Sequence, residues 1–137
     1  MSKVIVTGGA GFIGSHVTDA LIEAGHDVTV IDSLVFGKKE FINKKATFYK
    51  KDIRDYASLK KLCKGAEAIF HLAADPRLPV SIQDPLLTHE VNVTGTLNVL
   101  WAAKENKVGK VIFSSSCTAY GQVKPPFKEG QPTNPVS

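Results

Sequence analysis

Thr7-Gly8-Gly9-Ala10-Gly11-Phe12-Ile13-Gly14-Ser15-His16 decides how the rest of the chain is read. An apolar, β-branched run, Val4-Ile5-Val6, leads into it, and Phe12, Ile13, Val17, Ala20, Leu21 and Ala24 then recur at helical spacing. The stretch is a strand, a tight turn and a helix. Glycines at 8, 11 and 14 suit three demands of such a turn: a sharp bend, close backbone approach to a diphosphate, and close packing of helix on strand. The helix start adds unpaired N–H groups and a partial positive charge. Together these features describe a dinucleotide-binding turn.

The spacing, Gly-x-x-Gly-x-x-Gly, is wider than the G-x-G-x-x-G form and also fits an ordinary glycine-rich turn. Asp32 tips the balance. It closes the next β-branched run, Asp27-Val28-Thr29-Val30-Ile31, close to the ~20 positions beyond the glycines expected of the acid that binds an adenosine ribose.

Composition narrows the alternatives. A chain of 137 residues, 43% hydrophobic and 22% charged, supports one core and one domain. The opening residues lack a signal-peptide pattern and no apolar run approaches a membrane span, so a cytoplasmic protein without a membrane partner is expected. Two cysteines, Cys63 and Cys117, fit a reducing compartment rather than a disulfide framework. The net charge of +4 comes with lysine pairs at 38–39, 44–45, 50–51 and 60–61. These are spread over separate loops and faces, without the interleaved aromatic residues of a stacking surface, so no nucleic-acid partner is expected. Neither His71 nor His89 has a second ligand at metal-binding spacing, and no metal site is predicted.

The remaining pattern alternates. Strands are predicted at about 3–7, 27–32, 46–50, 68–72 and 110–114, and helices at about 11–24, 56–64 and 85–106. Gly25 and Gly65 supply left-handed stops, Asp55 and Asp84 supply caps, and Pro76 and Pro79 keep the stretch that follows strand four, ahead of Asp84, in a loop. Nearly all-apolar strands alternating with helices imply an α/β fold, a Rossmann-type doubly wound parallel sheet. Right-handed crossovers give it the order 3-2-1-4-5, with ligand across the carboxyl ends of strands one and four.

Ser114-Ser115-Ser116-Cys117-Thr118-Ala119-Tyr120-Gly121 ends strand five on that same edge. Its serines could simply satisfy backbone groups at a strand end. Taken with Thr7–His16, Asp32, Asp52-Ile53, His71-Leu72-Ala73-Ala74 and Asn92-Val93-Thr94-Gly95-Thr96, however, it resembles the extended short-chain dehydrogenase/reductase family. More narrowly, the set is similar to the NAD-dependent nucleotide-sugar epimerases and dehydratases, the UDP-glucose 4-epimerase group above all.

That resemblance implies NAD as cofactor and a nucleotide sugar, a UDP-sugar, as substrate. Gly8, Gly11, Phe12, Ile13 and Gly14 would hold the pyrophosphate, and Asp32 the ribose, where a carboxylate repels the extra phosphate of NADP. Asp52 and Ile53 would meet adenine; Leu72, Ala73, Ala74 and Ser114 would line the cofactor; Asn92 would support the strand-four loop. Ser116 would be the catalytic contact to the reacting hydroxyl. In the family a tyrosine, its pKa lowered by a lysine four residues on, removes that hydroxyl's proton while hydride passes to the cofactor. The resemblance also implies a homo-oligomer built on the long helix.

Two stretches match Tyr-x-x-x-Lys by letter, Tyr56–Lys60 and Tyr120–Lys124. The first lies on the adenine side, and Pro125-Pro126 disfavour a helix through the second. The expectation is therefore a cofactor-binding domain over residues 1–137, truncated after strand five, lacking the catalytic pair and the substrate domain, and inactive alone. A non-catalytic NAD-binding module, or a portion of a dehydratase or reductase, are the alternatives.

Overall fold

The computed structural model describes residues 1–136. Five parallel strands form one sheet: β1 (Lys3–Thr7), β2 (Asp27–Asp32), β3 (Thr47–Lys50), β4 (Ala68–His71) and β5 (Lys110–Phe113), in the order β3-β2-β1-β4-β5. The strand order is the one expected from right-handed crossovers, and it reverses beside β1.

Side-chain alternation divides the core between the two faces. Ile5, Ile31 and Ile69 point to one face, where they pack with Leu59 of α2 (Tyr56–Leu62) and with residues of the long helical segment that follows β4. Val6, Val28 and Val30 point to the other, against Val17, Leu21 and Ile22 of α1 (Phe12–Glu23). Each fully buried aliphatic side chain contributes about 1.5–3 kcal/mol. The central strands thus fix the sheet, whereas at the margin Phe113 of β5 is 57% exposed.

The caps follow their residue types. Asp55 accepts from the Ser58 amide at 3.1 Å, and Asp84 from the Leu87 amide at 3.0 Å. Two expectations need correction. The segment around Pro79 is a short helix, α3 (Leu78–Gln83), because a proline in the first turn gives up no intrahelical hydrogen bond. The long helix is also interrupted. It runs as α4 (Pro85–His89), a π-helical turn (Glu90–Gly95) and α5 (Thr96–Glu105). No local signal marks that turn; within it Asn92 bonds to the backbone of Asp75, just past β4.

Candidate functional site

The turn after β1 is built around two glycines. Gly8 has φ +74°, and a Cβ there would lie 2.7 Å from the Ala73 nitrogen, so only glycine lets the exits of β1 and β4 touch. A Cβ at Gly14 would fall 2.1 Å from the Gly8 carbonyl oxygen, which is how closely α1 packs on the turn. Gly11 is the N-cap of α1 and brings no capping side chain. The amides of Phe12, Ile13 and Gly14 consequently have no intrahelical acceptor, and the side chains of Phe12 and Ile13 are exposed. Such a helix start, open and rich in free N–H groups, fits a diphosphate.

Asp32 ends β2 beside this turn and is buried. Its Oδ2 accepts from the Ala10 amide at 3.0 Å and its Oδ1 from the Leu34 amide at 2.8 Å. The Lys38 amide donates back to the Ala10 carbonyl at 2.9 Å. One carboxylate therefore ties the loop 33–38 to the glycine turn. With about four acceptor sites on a carboxylate, it keeps capacity for a ribose hydroxyl.

On the β3 flank, Asp52 is gripped by Arg54, whose Nε and Nη2 donate at 3.0 and 2.8 Å. Those hydrogen bonds hold the Asp52 carboxyl below the usual carboxylate range. The Ile53 side chain is buried against Gly95, and its carbonyl accepts from Asn98 at 3.2 Å.

At the exit of β4, Leu72, Ala73 and Ala74 run alongside Gly8. Asn92, inside the π-helical turn, holds the next residue from both sides: it accepts from the Asp75 amide at 2.7 Å and donates to the Asp75 carbonyl at 2.9 Å. A buried relay backs this grip. Thr96 donates its hydroxyl to the Asn92 carbonyl at 2.7 Å, so it accepts from His71 Nε2 at 2.9 Å. That leaves His71 Nδ1 to accept from the Thr7 hydroxyl at 2.6 Å. Burial pushes the His71 pKa down to about 4, so the ring stays neutral, as this donor–acceptor order requires.

Two residues at this edge carry no motif in the sequence. Arg77 donates Nε and Nη2 to the Asp75 carboxylate at 2.9 and 2.7 Å, and its guanidinium lies 4.5 Å from the centre of the Phe36 ring. The only local hint is an aspartate two residues before an arginine at a strand end.

The β5 flank is different in kind. Ser114 and Ser116 are exposed, and Ser116 Oγ accepts from the Thr118 amide at 3.2 Å and pairs with the Thr118 hydroxyl at 2.7 Å. It caps a 3₁₀ turn (Cys117–Tyr120) beside an open hollow of about 570 Å³ lined by Ser116, Cys117, Tyr120, Gln131 and Thr133. Among the described residues, no hydrogen bond joins either letter-matched Tyr–Lys pair. Tyr56 and Lys60 both bond to Glu105 of α5, and the Glu105 carboxylate pushes the Tyr56 hydroxyl up to about 12, away from a base. Tyr120 stacks on Phe127 at 4.7 Å. Among the described residues, no cluster of three His, Cys, Asp or Glu could hold a metal ion, and no helix is long and apolar enough to cross a membrane.

The structure thus gathers Gly8, Gly11, Gly14, Asp32, Leu72–Ala74 and Asn92 around the exits of β1, β2 and β4. Asp52-Ile53 flank them after β3, and Ser114 and Ser116 after β5. Comparison with known proteins gives this geometry a lineage. The chain is 42% identical over 137 residues to a putative UDP-glucose 4-epimerase of Methanocaldococcus jannaschii, a match covering 98% of this chain and 45% of that protein. A UDP-glucose 4-epimerase from Thermotoga maritima, solved with UDP-glucose, superposes with TM-score 0.91 at 40% identity, over 98% of this chain and 45% of that one. One from Brucella ovis, in complex with NAD, gives 0.92 at 36% identity, over 99% and 42%. The chain spans less than half the length of these proteins. Residues 4–137 match the family model itself, and on that match the chain belongs to the NAD dependent epimerase/dehydratase family.

Proposed function

We propose that residues 1–137 form the NAD-binding unit of a nucleotide-sugar 4-epimerase acting on a UDP-sugar. The observation that carries this reading is the uncapped start of α1, packed through Gly8 and Gly14 against the exit of β4 with Asp32 alongside. The amides of Phe12, Ile13 and Gly14 would hold the diphosphate, and Asp32 the adenosine ribose. Asp52 and the backbone of Ile53 would meet the adenine; Leu72, Ala73, Ala74 and Ser114 would line the cofactor bed that Asn92 supports. NAD, when bound, supplies the hydride acceptor for a sugar carbon. Ser116, exposed at the open hollow, would orient the sugar hydroxyl by a hydrogen bond. It cannot remove the proton, and neither Tyr56 nor Tyr120 stands ready to do so, so these residues alone bind cofactor without turnover.

Titration of NAD and NADP by calorimetry tests the reading. Saturable NAD binding, weak NADP binding and loss of NAD binding in Asp32→Ala support it; a folded chain that binds neither overturns it. We also read the outer face of α5 as a surface for a second copy, since Leu97, Leu100 and Trp101 are exposed there. A monomer at high concentration in sedimentation would count against that.

A further inference from the structure

Phe36 follows β2, Arg77 follows β4, and in the sheet those two strands flank β1 on either side. Their 4.5 Å ring-to-guanidinium contact therefore joins the two loops that border the glycine turn. Each partner is held in place by separate means. Arg77 is fixed by two charged hydrogen bonds to Asp75, a carboxylate whose side chain is only 3% exposed. Asp75 is itself held at both its amide and its carbonyl by Asn92. On the other side, Asp32 anchors the Phe36 loop through the Leu34 amide, and the Lys38–Ala10 hydrogen bond closes its far end. A long, flexible arginine is thus held over an aromatic face within the range of cation–π attraction.

We propose that Phe36 and Arg77 are further cofactor-handling residues: together they clasp the crevice over which the dinucleotide is laid, and the cofactor enters and leaves only when they part. The inference rests on the NAD-binding reading above and adds to it a kinetic role for two residues that make no part of the glycine motif. Because the contact ties the two loops together across the turn, it stands in the way of the cofactor in both directions of exchange. Removing it raises the association and dissociation rates together and leaves the dissociation constant nearly unchanged. A residue that merely supported the fold would weaken affinity by lowering the fraction of chains competent to bind, and one that touched only the bound cofactor would do so through dissociation alone.

The experiment is stopped-flow binding and release of NADH, followed by its fluorescence, on the full 137-residue chain and on Phe36→Leu, Arg77→Gln and the double variant. Both single variants are expected to raise both rates about three- to tenfold, and the double variant no more than either alone, since the two residues act as one contact. Hydrogen-exchange protection of the Lys38 amide checks that the loop base stays folded in each variant. Unchanged rates in both variants overturn the clasp while leaving the cofactor site standing. So does an increase confined to dissociation. Wild-type chain that binds no NADH overturns the cofactor reading and the clasp with it.

Discussion

At the β1–β2 end of the carboxyl edge, Asp32 is buried with both oxygens accepting backbone amides, and Gly14 leaves no room for a methyl group. At the β5 end, Ser116 is exposed and, among the described residues, its side chain bonds only to Thr118, two residues away. The same sheet edge is rigid where a constant ligand part, the dinucleotide, would lie. It is open where a variable part, the sugar, would sit. The difference shows up as cost. Substitution at the first end should disturb the fold as well as cofactor binding, whereas substitution at the second should leave the fold intact.

Gly14→Ala should have the largest effect, because the added Cβ meets a backbone oxygen that cannot step aside. Overpacking of this kind costs ~3 kcal/mol, and we expect NAD binding to disappear with it; urea unfolding and calorimetry read the two losses. A stable, NAD-binding Gly14→Ala would show that the turn is softer than its packing. Asp32→Ala comes next. It leaves the buried Ala10 amide without an acceptor, at about 1–3 kcal/mol, frees the half-buried Leu34 amide as well, and lowers NAD affinity without creating affinity for NADP.

His71 sharpens the comparison from inside the core. Its pKa is pushed below that of the unfolded chain, so between about 6.5 and about 4 the unfolded state binds more protons and stability falls as pH falls. Wild-type protein should lose roughly 2 kcal/mol more than His71→Gln across that window, measured as the difference between their urea midpoints. Equal slopes would place the acid sensitivity in carboxylates common to both. Ser116→Ala should come last, with a stability change under ~0.5 kcal/mol and unaltered NAD binding. A large loss there would mean that the β5 end is built as rigidly into the fold as the β1 end.

Much of this layout is legible in the residues themselves. The glycine spacing, the apolar strands and Asp32 at the end of β2 are local facts, and five parallel strands in one order follow from them. Ile53 reads differently in place, since its side chain belongs to the core against Gly95 and only its backbone stays at the edge. The α3 helix is hidden by Pro79, which breaks a helix interior but suits a first turn. The π-helical turn leaves no trace in composition; the contacts at it and beside it, Asn92 on Asp75 and Thr96 on His71, are made with residues distant in the chain at β4 and its exit.

The alternation of strands and helices, the bend at Gly8 and the acid at Asp32 were all present in the order of residues, because backbone sterics and periodic burial act over a few positions. The tautomer His71 holds, the amide Asn92 grips, and the placement of Arg77 across Phe36 emerged only with the folded chain. Those contacts join residues 17 to 64 positions apart or come from separate loops, and they exist only once the sheet has set strand beside strand.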